Sequence, residues 1–464
     1  MRIPSILRTV LAFITLGLFA SGAQAASAVI SDFHGSYEAR LVALESATPG
    51  GPTYTAFYGR MELTVTASKT ANTAAVSGTL LTRAGKKYPF KTTVALGTGG
   101  STADQRNVGL VPLRGAAGVF LVNFSLSIDT AGVVTVRGEN FNPGDANAIF
   151  FSENSLRFAT FTGKGESIPA WLGNYTLAFI NPSPSGATVP AGAGFATLSV
   201  AKTGVLTYKG KTGDGAIITG NAKPTASGNY GFFATPAGYA VGGYISGIIN
   251  LATPGLQEEP AVWNKVAKTA DKTYSAGFST VVDVLVRPWF VPSKGAYPFP
   301  AALGLGSSKN FQVTFSPTGL SDGDYSANLP TTLRITQLGV IQAVSGGAGS
   351  PPANVTKPWN ALWNVKLNPL TGAFSGMQVL THLNGTKTVT RKAPVEGVMM
   401  VADALSSEPF AYGQYLVTPK AAGSKQVSGL VTFVGPLQEN VSVATAGNYT
   451  VKVRVDLAEM VGTT

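Results

Sequence analysis

Two histidines and no cysteine occur in 464 residues, and that scarcity limits the available chemistry before any fold is considered. His34 and His382 lie far apart, and neither accompanies a Gly-x-Ser-x-Gly nucleophile turn. With no thiolate and one imidazole per region, zinc sites and cysteine nucleophiles are excluded. Paired carboxylates are the remaining route to hydrolysis, because a glycosidase holds an acid and a base or nucleophile about 5 to 10 Å apart. The candidates are Asp322 with Asp324, in a Gly-centred turn, and Glu258 with Glu259, just before Pro260. Both contexts read as solvated loop charges. Asp214, or Asp322 with Asp324, is acidic enough for calcium, but the spacing matches no complete calcium loop. The chain is therefore expected to be non-enzymatic, with no cofactor and no metal; a carbohydrate-active hydrolase using Asp322 and Asp324 is the weaker alternative.

The stretch from Gly204 to Thr212, GVLTYKGKT, resembles the end of a phosphate-binding loop. Such a loop needs a glycine five positions before Gly210, so that successive N–H groups curl around a phosphate. That position is Val205, and the intervening Leu206, Thr207 and Tyr208 favour a pleated strand. With Gly213-Asp214-Gly215 and Ala216–Thr219 following, the expectation is strand, turn, strand.

Binding is easier to build than catalysis. Trp289 and Phe290, with Tyr297 and Phe299 nearby, stand in a proline-stiffened stretch that offers flat rings to a sugar or a partner, or plugs one end of a β unit. Arg83, Lys86, Lys87 and Lys91, interleaved with Tyr88 and Phe90, form the densest basic patch. The patch suits an acidic polymer or is an ordinary charged hairpin. Formal charge is +11, falling to +9 if Arg2 and Arg8 leave with a leader, and its sign favours acidic partners. The cations are too thinly scattered to suggest nucleic acid. Glycans and other surface proteins are the expected partners.

These residues are positioned by short alternating segments. Met61–Thr66, Phe120–Leu126, Val133–Arg137 and Val451–Leu457 alternate apolar and polar with period two, with turn residues between such runs and no sustained helical stripe. The expected fold is all-β, in tandem antiparallel barrel or sandwich units. Arg2 and Arg8, an apolar run from Val10 to Ala20 and Ala23-Gln24-Ala25 predict a cleaved export signal over 1–25. The run is too short for a membrane helix of roughly 20 residues, and no later stretch approaches that length. Charged residues make up 12%, about half of the roughly 25% usual in soluble domains, so hydroxyls and small groups coat the surface. The leader and the missing disulfides predict an exported bacterial protein on the cell surface, in the periplasm or outside the cell. Charge and glycine at 162–167 and a Gly-Pro at 435–436 suggest an N-terminal β unit at 26–168 and a larger β domain at 169–436. That domain divides into halves at 169–262 and 263–436, and a closing strand segment occupies 437–464.

A weak internal repeat runs through this plan. Gly35-Ser36-Tyr37 leads to Leu63-Thr64-Val65 and a strand ending near Gly78; Gly173-Asn174-Tyr175 leads to Leu198-Ser199-Val200 and a strand ending at Gly210. Together with Trp263-Asn264-Lys265, Tyr274–Phe278 and the Thr371–Gly376 step, the pattern over about 171–436 resembles the β-rich repeats of large exported proteins from verrucomicrobial and related bacteria. The segment 33–165 lacks the Trp and Gly-Phe half. The resemblance implies an exported, modular, β-rich protein and carries no catalytic residue. Taken together, these features predict an exported, non-catalytic structural or interaction component of the cell surface or extracellular matrix, with a glycan-binding module as the alternative.

Overall fold

The computed structural model describes residues 30–46, 53–82, 87–95, 106–112, 121–128, 134–141, 150–151, 155–184, 188–293, 312–316, 333–335, 341–343, 363–384, 387–400, 409–418 and 424–434. Among them the fold is all-β, with one 3-10 turn at Ile30–Phe33 and no α-helix. No helix there is long and apolar enough to cross a membrane. The expected leader at 1–25 and terminal strand segment at 437–464 lie outside the described residues.

The N-terminal sheet is a meander of β1 (Gly35–Ser46), β2 (Thr53–Ala67), β3 (Thr73–Thr82) and β4 (Lys87–Ala95). A separate three-stranded sheet follows, formed by β5 (Arg106–Pro112), β6 (Leu121–Ile128) and β7 (Val134–Phe141). The chain then returns to the free edge of β1 through β8 (Phe150–Phe151) and β9 (Ser155–Arg157).

Eight antiparallel strands come next: β10 (Gly173–Ile180), β11 (Gly194–Val200), β12 (Leu206–Lys211), β13 (Ile217–Ala222), β14 (Asn229–Ala234), β15 (Tyr244–Asn250), β16 (Ala261–Lys265) and β17 (Phe278–Trp289). Their order is β13-β12-β11-β10-β17-β16-β15-β14. The long β17 makes this possible: Phe278–Val282 pair with β16, and Asp283–Trp289 pair with β10. The sheet thus curls into a nearly closed barrel, leaving one seam between β13 and β14. A Pro224–Tyr230 bridge and an Ala237 N–H to Ile217 carbonyl bond at 2.9 Å tie the seam at its two ends. Alternation fills the interior. In β12, Leu206, Tyr208 and Gly210 are buried while Thr207 and Lys209 are exposed. Trp263, Tyr230, Phe232, Leu198 and Ile245 pack from other strands into one core. An eight-stranded barrel has about enough room for side chains alone.

The C-terminal sheet has the order β18-β25-β24-β23-β22-β21, with β18 (Gln312–Ser316), β21 (Trp363–Leu367), β22 (Ala373–Asn384), β23 (Lys387–Met399), β24 (Ala411–Val417) and β25 (Val427–Val434). A small hairpin of β19 (Leu333–Ile335) and β20 (Ile341–Ala343) precedes β21. This sheet lies against the outer face of β10 and β11, where Ala178, Phe195 and Leu285 meet Val398, Met400 and Tyr412. β10 is consequently buried on both faces, and its outward Thr176 hydroxyl donates to the Met399 carbonyl at 2.7 Å.

The segment around Gly204–Thr212 is strand β12 with its flanking turns, as its β-branched residues predict; Gly204 at φ +80° bends the β11–β12 turn and Gly215 at φ +88° the β12–β13 turn. The two Gly-x-Tyr openings adopt one local geometry. Gly35 and Gly173 have φ of +151° and +145°. The Tyr37 hydroxyl donates to the Phe33 carbonyl at 2.6 Å, and that of Tyr175 to the Trp171 carbonyl at 2.8 Å, each four residues back. The expected boundary at 168/169 falls between β9 and β10, and the division at 262/263 falls within β16, inside the barrel.

Candidate functional site

The N-terminal sheet is joined to the barrel close to the seam. Phe158 bridges to Thr225, and the Ala159 N–H donates to the Pro224 carbonyl at 2.8 Å. Between the two bodies lie adjoining hollows of about 770 and 550 Å³ that share Ser36, Thr64, Phe158 and Lys223. Three exposed cations surround them. Lys91 comes from β4, Arg157 from β9 and Lys223 from the β13–β14 turn. The Lys223 Nζ sits 5.3 Å from the Phe158 ring centre, and the Arg157 guanidinium lies 5.9 Å from that of Tyr37 while donating to the His34 carbonyl at 2.7 Å. Hydroxyls line the floor, with Ser36 and Thr64 3.1 Å apart. Among the described residues Glu62 is the one carboxylate lining either hollow, and Arg60 engages it at 2.6 Å. Cations, hydroxyls and the Phe90 and Phe158 rings together suit an anionic, hydroxyl-rich ligand.

Behind this cleft, the N-terminal sheet presents a charged checkerboard to the seam. Cross-strand register sets Glu38 opposite Glu62 and Arg40 opposite Arg60, so like charges face each other. Such pairs are unfavourable unless the diagonals compensate, and here Arg60 reaches Glu38 at 3.7 Å and Glu62 at 2.6 Å. Glu38 is 2% exposed and presses against Gly231 of β14, where a Cβ would leave no room for its carboxylate. Burial pushes its carboxyl up to about 7, opposed chiefly by Arg60. Beside it the Tyr208 hydroxyl crosses the seam to the Phe233 carbonyl at 2.8 Å, with burial raising its phenol to about 12. Gly220 leaves space for that ring.

A second ionic cluster closes the opposite end of the barrel. Lys265, the last residue of β16, follows Ala261 and Trp263 on the inward face. Its ammonium donates to Asp214 Oδ2 at 2.9 Å and to the Thr273 carbonyl at 2.8 Å, and lies 3.4 Å from Asp271 Oδ2. Lys265 and Asp214 side chains are 2% and 0% exposed. Asp214 also accepts from the Thr212 hydroxyl at 2.6 Å. The Tyr239 ring centre lies 4.8 Å from the ammonium, and burial followed by the Asp214 charge holds its phenol well above the ordinary value. The residues 274–278 wrap this cluster: Tyr274 adopts φ +47°, and a side chain at Gly277 would strike the Lys265 carbonyl. Phe278 meets Trp263 edge to face at 4.7 Å.

Of the residues singled out in the sequence, Lys91 lines the cleft and Lys87 is exposed on the same strand. Arg83, Lys86, Tyr297, Phe299, Asp322 and Asp324 lie outside the described residues. Trp289 is not a ring offered to a sugar. It is 3% exposed, packs into the core of the C-terminal sheet and donates its indole N–H to the Pro369 carbonyl at 3.0 Å. Phe290, one residue past the end of β17, is 72% exposed. Glu258 and Glu259 are exposed, in keeping with loop charges. Sequence reasoning missed Arg157 and Lys223, which enter the cleft from elements far from Lys91 in the chain. It also passed over Glu38 and Lys265, although period-two alternation from Trp263 places Lys265 inside. No group of three or more potential metal ligands of the His, Cys, Asp and Glu types is present among the described residues. Compared with protein-family models, curated proteins and solved structures, the chain shows no match.

Proposed function

We propose that this protein is an exported, non-catalytic β scaffold of the cell surface or extracellular matrix that contacts acidic glycans through the cleft between its N-terminal sheet and its barrel. The observation that carries the reading is that cleft, in which Lys91, Arg157 and Lys223 converge over a floor of hydroxyls and rings. The barrel interior is occupied by its own side chains, which moves the ligand surface to the outside. The leader-like start and the low charge content support the compartment. The earlier alternative, glycan binding by an aromatic loop, loses Trp289 to the core and keeps Phe290.

Fractionation of the native host tests the compartment, with the protein expected in the surface or secreted fraction. Titration with polygalacturonate against neutral dextran tests the ligand. Binding to the acidic polymer alone, weakened about tenfold in a Lys91→Ala, Lys223→Ala double variant and falling with salt, is expected. Equal binding to both polymers, or none, overturns the ligand assignment.

A further inference from the structure

The barrel-end cluster places an amine against a carboxyl group under conditions that suit condensation as well as pairing. Lys265 Nζ lies 2.9 Å from Asp214 Oδ2, so the carboxyl carbon is one bond beyond a contact already made. Both side chains are almost fully excluded from water. Each is anchored on a rigid element, Lys265 at the end of β16 and Asp214 in the tight β12–β13 turn, where it holds the Thr212 hydroxyl. A second carboxylate, Asp271, stands 3.4 Å from the same nitrogen and is itself held by Lys268 at 3.5 Å. Fixed orientation of reacting groups replaces the entropy that amide formation between free molecules must lose. Exclusion of water opposes the reverse hydrolysis.

We propose that Lys265 and Asp214 form an intramolecular isopeptide bond, with Asp271 as the catalytic proton carrier. The ammonium first passes a proton to the Asp214 carboxylate, giving a neutral amine and a neutral acid in a dry site. The nitrogen lone pair adds to the Asp214 carbon, and Asp271 takes a second proton from that nitrogen. Asp271 returns it to the departing hydroxyl, the C–O bond breaks and one water leaves. One N–C bond forms, one C–O bond and two N–H bonds are broken, and the two protons leave with the carboxyl oxygen as water. No oxidant, reductant or cofactor enters the balance. The remaining amide N–H keeps a donor for the Thr273 carbonyl, 2.8 Å from the nitrogen.

The position of the bond gives it a purpose. It joins the β12–β13 turn to β16 and so encloses β13, the unpaired seam, β14 and β15 in a covalent loop. Cross-links that close such loops restrict the unfolded chain. A chain with no cysteine has no disulfide with which to do this.

Mass spectrometry of the full-length folded protein decides the matter. Wild type is expected to be lighter than its sequence mass by one water, whereas Lys265→Arg has its full sequence mass. Digestion with trypsin and a glutamate-specific protease, which cuts between the partners at Glu258, is expected to yield one branched peptide containing Asp214 and Lys265. Recovery of two separate peptides, with normal tryptic cleavage after Lys265, overturns the bond. Asp271→Asn, checked by circular dichroism for retained β structure, is expected to keep its water. A folded Asp271→Asn protein that still carries the branch overturns the proton-carrier role.

Discussion

Glu38 and Asp214 are both buried carboxylates facing cations at the barrel, yet they are held in different ways. Asp214 belongs to the barrel itself and accepts from Lys265 at 2.9 Å and from Thr212 at 2.6 Å, both of them barrel residues. Glu38 is carried in by another sheet, and Arg60, 3.7 Å from it, must also serve Glu62. Burial outweighs that attraction, which is why the Glu38 carboxyl rises to about 7. A contact built within one sheet can be tightened by local register. One made by docking two finished sheets inherits whatever charges the two faces bring, and adjusts by changing protonation.

The comparison can be broken at either carboxylate, and the largest effect is expected at the barrel end. Lys265→Met leaves Asp214 as a buried carboxylate with neither an ammonium nor an amide partner and should cost at least about 3–5 kcal/mol in denaturant unfolding. An equal loss for a conservative change at Arg60 would erase the distinction between the two sites. The next effect concerns pH. Because the folded carboxyl of Glu38 lies above its ordinary 4.5, at about 7, the folded state binds more protons than the unfolded chain between those values. Stability from this group is complete below about pH 4.5 and is lost as pH rises through 7, a decline of about 3 kcal/mol. Glu38→Gln should flatten that decline and be the more stable protein at pH 8, as urea titrations at pH 5 and pH 8 will read.

Smaller changes sharpen the likeness between the two meanders. Tyr37→Phe and Tyr175→Phe each remove one hydroxyl-to-carbonyl bond and should each cost about 1 kcal/mol by thermal unfolding. A large inequality would mean that the shared geometry hides different roles. Last comes Lys211→Ala, which removes a 2.6 Å ion pair to Glu396 between barrel and C-terminal sheet. Both partners are about a quarter to a third exposed, so solvent screening holds the expected loss near 0.5 kcal/mol in the same assay.

Alternation made β2, β6 and β7 visible through Met61–Thr66, Phe120–Leu126 and Val133–Arg137, and the glycines around β12 marked strand and turn where a phosphate loop was the rival. The ionic sites were harder to see for physical reasons. In Gly35–Leu41, Glu38 and Arg40 occupy the polar phase of the alternation, which ordinarily faces solvent; only the arrival of the barrel buries it. Trp289 misled because an aromatic residue beside prolines has the same composition in an exposed loop as at the end of a strand. Arg157, Lys223 and Lys91 form a cleft through tertiary placement, and no spacing along the chain records that.

Gly231 and Gly220 sit on the two facing strands of the seam and surrender their side-chain volume to Glu38 and Tyr208. Bare strands of this kind invite pairing with another molecule, and the N-terminal sheet acts as their guard. Because synthesis runs from the amino end, the guard is made before the edges it protects. A fragment beginning at residue 169 would expose both edges at once, and self-association through them is the hazard that this order of synthesis avoids.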